Sequence, residues 1–444
     1  MLVTPYDSGM GAPDPVLPTP DGLVLSPFRA LRYAVGDGPD LAARTAPPYD
    51  VIDDAGVTAL EATHPHNVVR LILPRDIDEG SPASRYPRAG DTLRKWISTG
   101  VLRRDETPAL YVYEESHGGH IQRGLVGAVA LADPDAGIIL PHENTMAGPV
   151  TDRLALTVAT EANLEPIFLL YEGGGATSQI VSATVTTPPL LTTTTDDGVS
   201  HRIWALTDPD MLTRIAEDLH ERRAVIADGH HRYATYRRYQ ADRHAAGDGP
   251  GPWDFGLAFL ADARVSGPQV HAIHRVVAGL DVVEAAHRAA PAFRVTAMDA
   301  VGDPTGADLL SELAKAGQDG HAFVITDGQV AFLLTDPDPA LLAEALPADR
   351  SAAFRGLDVT VAHLALIVKV WGLADTEDVV GYRHDAPAAI AAAVETGATA
   401  LLLNPTPAAD VAAVAAAGER MPRKSTLFTP KPRSGLLIRP VDAQ

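Results

Sequence analysis

Short apolar runs recur along the first 280 residues, separated by longer stretches whose apolar positions fall at helical spacing, and this alternation predicts an α/β chain, with α+β as the other reading. Strands are expected at 68–73, 110–113, 125–131, 137–140 and 167–171, and helices at 89–99 and 152–163. Asp197-Gly198 ahead of the apolar run 203–206 predicts a hairpin. Further strands are expected at 255–260 and 270–277. Beyond Gly279 the chain turns alanine-rich, with helices expected at 282–289, 307–316, 359–371 and 387–394 and a second hairpin at Asp327-Gly328. The pattern divides the chain into a loose Pro/Gly-rich arm at 1–22, a mixed α/β region at 23–280 and an α/β region at 281–444.

One junction in this pattern carries chemistry. Ala224 to Ala227 fit a buried strand, Gly229 permits a left-handed backbone, and residues 230 to about 246 read as a helix. Asp228, Gly229, His230, His231 and Arg232 therefore stand where a strand hands over to a helix N-terminus. Unpaired N–H groups and the positive end of the helix dipole suit that place to phosphate or carboxylate, with Arg232 as a clamp. The same residues also fit an Asp-Gly turn whose carboxylate only caps the helix, and both readings stand.

Composition narrows the chemistry. The 444 residues contain no cysteine, which removes disulfides, thiolate metal sites and thiol nucleophiles. Lys and Arg number 36 against 57 Asp and Glu, a net charge of −21 that disfavours nucleic acid as a partner. No basic leader precedes an apolar run and the apolar stretch 361–373 is broken by His363 and Lys369, so a cytoplasmic protein without a membrane partner is expected. Homodimer formation is allowed by these features and not required by them.

Secondary candidates lie elsewhere. An arginine inside a strand needs a partner, so Arg275, beside His274, is expected to face an anionic ligand or a carboxylate such as Asp228, or else water at a strand edge. Glu143, at the exit of a strand after His142, fits a general base or a magnesium ligand, although such residues are commonly solvated. Arg29, Tyr49-Asp50 and Arg70 read as pocket or loop residues around the rigid Pro47-Pro48. Near the C-terminus, Arg423-Lys424-Ser425-Thr426 lacks the glycine of a phosphate loop, yet Lys424 and Lys431 can lend charge to a phosphate.

Several ordered motifs carry a resemblance over nearly the whole chain: Pro27-Phe28-Arg29-Ala30, Ala46-Pro47-Pro48-Tyr49-Asp50-Val51, Asn67-Val68-Val69-Arg70-Leu71, His142-Glu143 with Thr145, Pro166-Ile167-Phe168, the 227–233 turn, Asn404-Pro405-Thr406, and 421–430 followed by Gly435-Leu436. On these the chain resembles domain-of-unknown-function family 1015, grouped with ParB-like proteins. The resemblance implies a ParB/sulfiredoxin-like core within a larger mixed-sheet protein, and its Asp-Gly-His-His-Arg turn is similar to that of free L-serine kinases. Sulfiredoxin repair is excluded because His230 stands where its cysteine is needed. The family's Pro-Thr-His-Arg element is matched only at His274-Arg275; Ala272 and Ile273 replace the first two residues and remove a hydroxyl ligand.

The expected activity is that of a small-molecule phosphotransferase, a free L-serine kinase with ATP, ADP or pyrophosphate as donor and Mg2+ as cofactor. Asp228 would take the hydroxyl proton or hold the metal, with Glu143 as reserve base. His230, His231, Gly229 and Arg232 would cradle the phosphoryl group, and His274, Arg275, Arg29, Arg70 and Lys424 would bind phosphate or substrate. The alternatives are a phosphoserine phosphatase and a non-catalytic nucleotide-binding regulator.

Overall fold

The computed structural model describes residues 17–76, 85–299 and 303–442, and its helices and mixed sheets make it an α/β protein. Most of the expected loose arm, residues 1–16, lies outside the described residues.

The central sheet runs in the order Ile139–Leu140, Ala224–Asp228, Ile167–Tyr171, Phe255–Asp262, His120–Ala130, Leu110–His117, Ser200–Leu206 and Leu191–Thr194, with Leu25–Ser26 also paired to His120–Ala130. Two pairings are parallel, Ala224–Asp228 with Ile139–Leu140 and Phe255–Asp262 with Ile167–Tyr171; the rest are antiparallel. Continuous apolar runs in the central strands follow from burial on both faces. Phe168, Leu170, Val225, Ala227 and Phe259 enter one core, while Ile167, Leu169, Ala224, Ile226 and Leu260 enter the other. That two-residue alternation fixes which side chains reach the site.

A second, six-stranded antiparallel sheet follows the order Arg294–Met298, Ala331–Thr335, Ala322–Thr326, Thr399–Leu403, His274–Val277 and Val380–Arg383. The chain then returns to the first sheet's side. Leu427–Thr429 pairs with Gln269–His271, Ser434 bridges to Ala46, Ile438 bridges to Leu31, and Arg439–Pro440 pairs with Ala162–Asn163. This returning segment, called the strap below, carries Lys431 across the end of the central sheet.

Three expected elements differ. Residues 68–73 form a helical turn, Val69–Ile72, because the Asn67 side chain accepts from Val69 N at 2.9 Å and donates to the Ala43 and Thr45 carbonyls, a side-chain turn that competes with strand. The run 270–277 splits between two sheets at Ala272-Ile273. The helix expected at 359–371 is a short turn, Asp358–Thr360, continued by π-helical Val361–Val370. Both proposed hairpins form as expected. Among the described residues no helix is long and apolar enough to cross a membrane.

Candidate functional site

The strand Ala224–Asp228 ends in a bulge: Ile226 faces Leu169 and Asp228 faces Phe168, so Ala227 is the extra residue that re-aims Asp228. Gly229 follows at φ 92°, a left-handed conformation, and a Cβ there would come within 3.1 Å of the Arg232 guanidinium carbon. The helix His230–Ala245 starts at once. Tyr233 N is the first to bond back, to Gly229 O at 2.9 Å, so the amides of His230, His231 and Arg232 have no acceptor within the helix.

Asp228 lies between two cations. One oxygen accepts from Arg232 Nη2, and the other is 2.7 Å from Lys431 Nζ, which also reaches Asp50 at 2.5 Å. Burial opposes the charge on Lys431, but Asp228 and Asp50 outweigh it and hold the ammonium above its ordinary pKa. Arg232 is buried, donates to Pro166 O and faces the Tyr49 ring. Burial works against its charge too, and Asp228, Glu165 and Asp50 again prevail. Buried Glu165 accepts from Tyr49 N at 2.9 Å and Ser434 Oγ at 3.0 Å, with Arg153 4.0 Å away.

The two histidines act as acceptors. His142 N donates to His230 Nε2 at 3.2 Å, and Met146 N donates to His231 Nε2 at 3.0 Å. Both rings are therefore neutral with the proton on Nδ1. Burial pushes both below their ordinary value, His230 strongly, so neither supplies the positive charge expected of a phosphate cradle. Instead they staple the segment 141–146, and with it Glu143, onto the helix start. His230 Nδ1 lies 3.9 Å from Glu143 Oε2. Burial raises the Glu143 pKa and Asp228 raises it further, against the opposing pull of Lys424 and Lys431.

Arg275 does not meet Asp228. It is buried in the second sheet, where Nε donates to His363 Nε2 at 3.0 Å, Nη1 to Ile273 O and Nη2 to Lys424 O at 3.0 Å. Burial lowers its pKa to about 10. The expectation of an anionic partner gives way to backbone carbonyls, and the arginine fixes the turn on which Lys424 stands at φ 55°. His274 Nδ1 accepts from Leu403 N at 3.2 Å and is likewise internal. Arg70 pairs with Glu61 at 3.3 Å, and Arg29 has no hydrogen bond or ion pair joining it to the turn.

Asp50 and Lys431 are brought to the turn, although Asp50 reads as a loop residue in the sequence. Glu165 and Arg153 carry no local motif. The only advance signals are the rigid Pro47-Pro48 beside Asp50 and the isolated basic charge of the strap. Among the described residues no three His, Asp or Glu side chains converge as a metal cage, and both Asp228 oxygens already face cations. The residues do not fit a resident magnesium on Asp228.

No curated protein matches the chain significantly. Among solved structures, it is similar to a free serine kinase in complex with AMP (14% identity, 72% of this chain and 88% of that one, TM-score 0.33) and to a mutant form of free serine kinase in complex with ADP (14%, 73% and 89%, 0.34). It is also similar to C-terminally truncated SbnI from Staphylococcus aureus (10% identity, 71% and 87%, TM-score 0.33). Likeness at these scores is too loose to bear on activity. The family model described as "Protein of unknown function (DUF1015)" matches residues 25–360, and the chain belongs to that family.

Proposed function

We propose that the 228–232 turn is a phosphoryl-transfer centre of a small-molecule kinase whose acceptor is free L-serine and whose donor is ATP, ADP or pyrophosphate, carried in as its magnesium complex. The observation that supports this is one juxtaposition: a half-exposed Glu143 carboxylate beside open helix amides, with Lys431 tied to the same turn. Donor phosphates meet the amides of residues 230–232, and Lys431 and Lys424 balance charge as it spreads over the transferred group. The serine hydroxyl oxygen bonds to the donor's terminal phosphorus as the bridging P–O bond breaks, and the hydroxyl proton passes to Glu143.

This assigns the base role to Glu143 rather than to Asp228. Both Asp228 oxygens are already engaged by Arg232 and Lys431, whereas Glu143 has no such partners and burial raises its pKa. Asp228 becomes a positioning residue for the two cations. The pairing of those cations favours one second reading, a nucleotide sensor without turnover. Incubating purified protein with L-serine and each donor separates the two: O-phosphoserine supports the kinase, and donor binding without any transfer supports the sensor.

A further inference from the structure

Against the strap lies a cavity of about 240 Å³, lined among others by Pro47, Glu115, Asp197, His201, Lys431 and Arg433. Its inner wall is unusual for so small a space. Glu115 is 0% exposed, yet only one of its oxygens is hydrogen-bonded, from Gln122 Nε2 at 2.6 Å. The other, Oε1, has no donor at hydrogen-bond distance: it faces His201 Nδ1 at 3.7 Å, and the Tyr113 hydroxyl acts on the carboxyl only from its margin. His201 is itself held by the Tyr113 hydroxyl at 2.9 Å and Thr195 Oγ1 at 3.3 Å. Among the described residues no Lys or Arg forms an ion pair with Glu115, although Arg433 is near enough to favour its charge. Arg433, in the same lining, donates from Nε to Thr45 Oγ1 at 3.0 Å and reaches Asp197 only at 3.7 Å.

A buried carboxyl oxygen without a donor is costly, and a ligand that supplies the missing partner relieves that cost. Here an acceptor and an under-used guanidinium face one small space, and Lys431 joins that space to Asp228. We propose that this cavity binds the amino-acid acceptor as a zwitterion, its ammonium on Glu115 Oε1 and its carboxylate on Arg433. The inference deepens the proposed function and rests on it for the ligand's role as acceptor. Burial pushes the Glu115 pKa up to about 8, with Asp197 raising it and Tyr113, Gln122 and Arg433 opposing. Burial also holds His201 down near 3, and Lys431 stays charged on its aspartates, so Glu115 is the group that responds when an ammonium enters. Binding of a zwitterion near pH 7 therefore releases a proton.

Calorimetry on the full chain with four probes tests this: L-serine, L-alanine, ethanolamine without a carboxylate, and lactate without an ammonium. L-Serine and L-alanine are expected to bind with a heat that depends on the buffer's ionisation enthalpy, and the other two at least tenfold more weakly. Glu115→Gln and Arg433→Gln each weaken L-serine binding at least tenfold while ADP binding is kept, and Glu115→Gln also abolishes the buffer dependence. Thermal melts of both variants check folding, and the near-isosteric Glu115→Gln retains the fold. Undiminished L-serine binding in both variants, equal binding of lactate, or no amino-acid binding at all overturns the proposal. Amino-acid binding that needs Glu115 and Arg433, without phosphoryl transfer, leaves this site standing and removes the kinase reading.

Discussion

In the proposed transfer Glu143 takes the hydroxyl proton, because among the carboxylates at the helix start it has no Lys or Arg ion pair. Burial and Asp228 raise its pKa, so its base form fills at higher pH than an ordinary glutamate's. Activity is expected to rise with pH through that raised value and to fall below it as the carboxyl takes up a proton. Glu143→Gln should lower kcat by about 10²- to 10⁴-fold, keep donor affinity and erase this acid limb, as a pH–rate profile reports. Residue-level reading of the sequence placed the 228–232 turn at a strand–helix junction, as the structure has it, because a buried apolar run ends there at a glycine. It did not bring Asp50 to the site, since the pair Asp50–Lys431 is separated by 381 positions and no local pattern encodes such a contact.

At the scale of elements, the strand's bulge and the left-handed Gly229 aim both Asp228 and Arg232. Alanine at 229 must adopt positive φ and crowd the guanidinium, so Gly229→Ala should cost about 1–2 kcal/mol in denaturant unfolding and lower phosphoryl transfer along with it. Arg275 acts through another element, by holding the Lys424 carbonyl. Its truncation leaves buried carbonyls unpartnered: Arg275→Ala should destabilise by about 2–4 kcal/mol and raise the donor KM more than it lowers kcat. Steady-state kinetics below the variant's Tm make that distinction. Local residue pattern does not distinguish a ligand from a backbone partner for this arginine, since burial of an arginine demands only that some acceptor be present. The strands that match expectation are continuous apolar runs buried on both faces, and the hairpins that match carry an Asp-Gly turn. The misread segment 68–73 is apolar except for Arg70, and there the Asn67 side chain decides for a helical turn.

Over the whole molecule, the strap couples distant parts. Residues 427–440 pair with strands near 269 and 162 and bridge to Ala46 and Leu31, while Lys431 closes the site. Deleting residues 427–444 should therefore lower the Tm of the entire chain and raise hydrogen exchange at Leu31 and Ala46, whose amides donate to strap carbonyls, rather than merely fray one end. That the chain returns to pair with segments near 269 and 162 was hidden in the sequence, because short strands of two or three residues leave no periodic signal. The central claim is that this assembled turn transfers a phosphoryl group to free L-serine. Phosphorus NMR of the purified full chain with L-serine, magnesium and ATP, ADP or pyrophosphate in turn tests it most directly. The account predicts an O-phosphoserine resonance with at least one donor, lost in Glu143→Gln; its absence with all three donors in a folded, donor-binding protein contradicts the account.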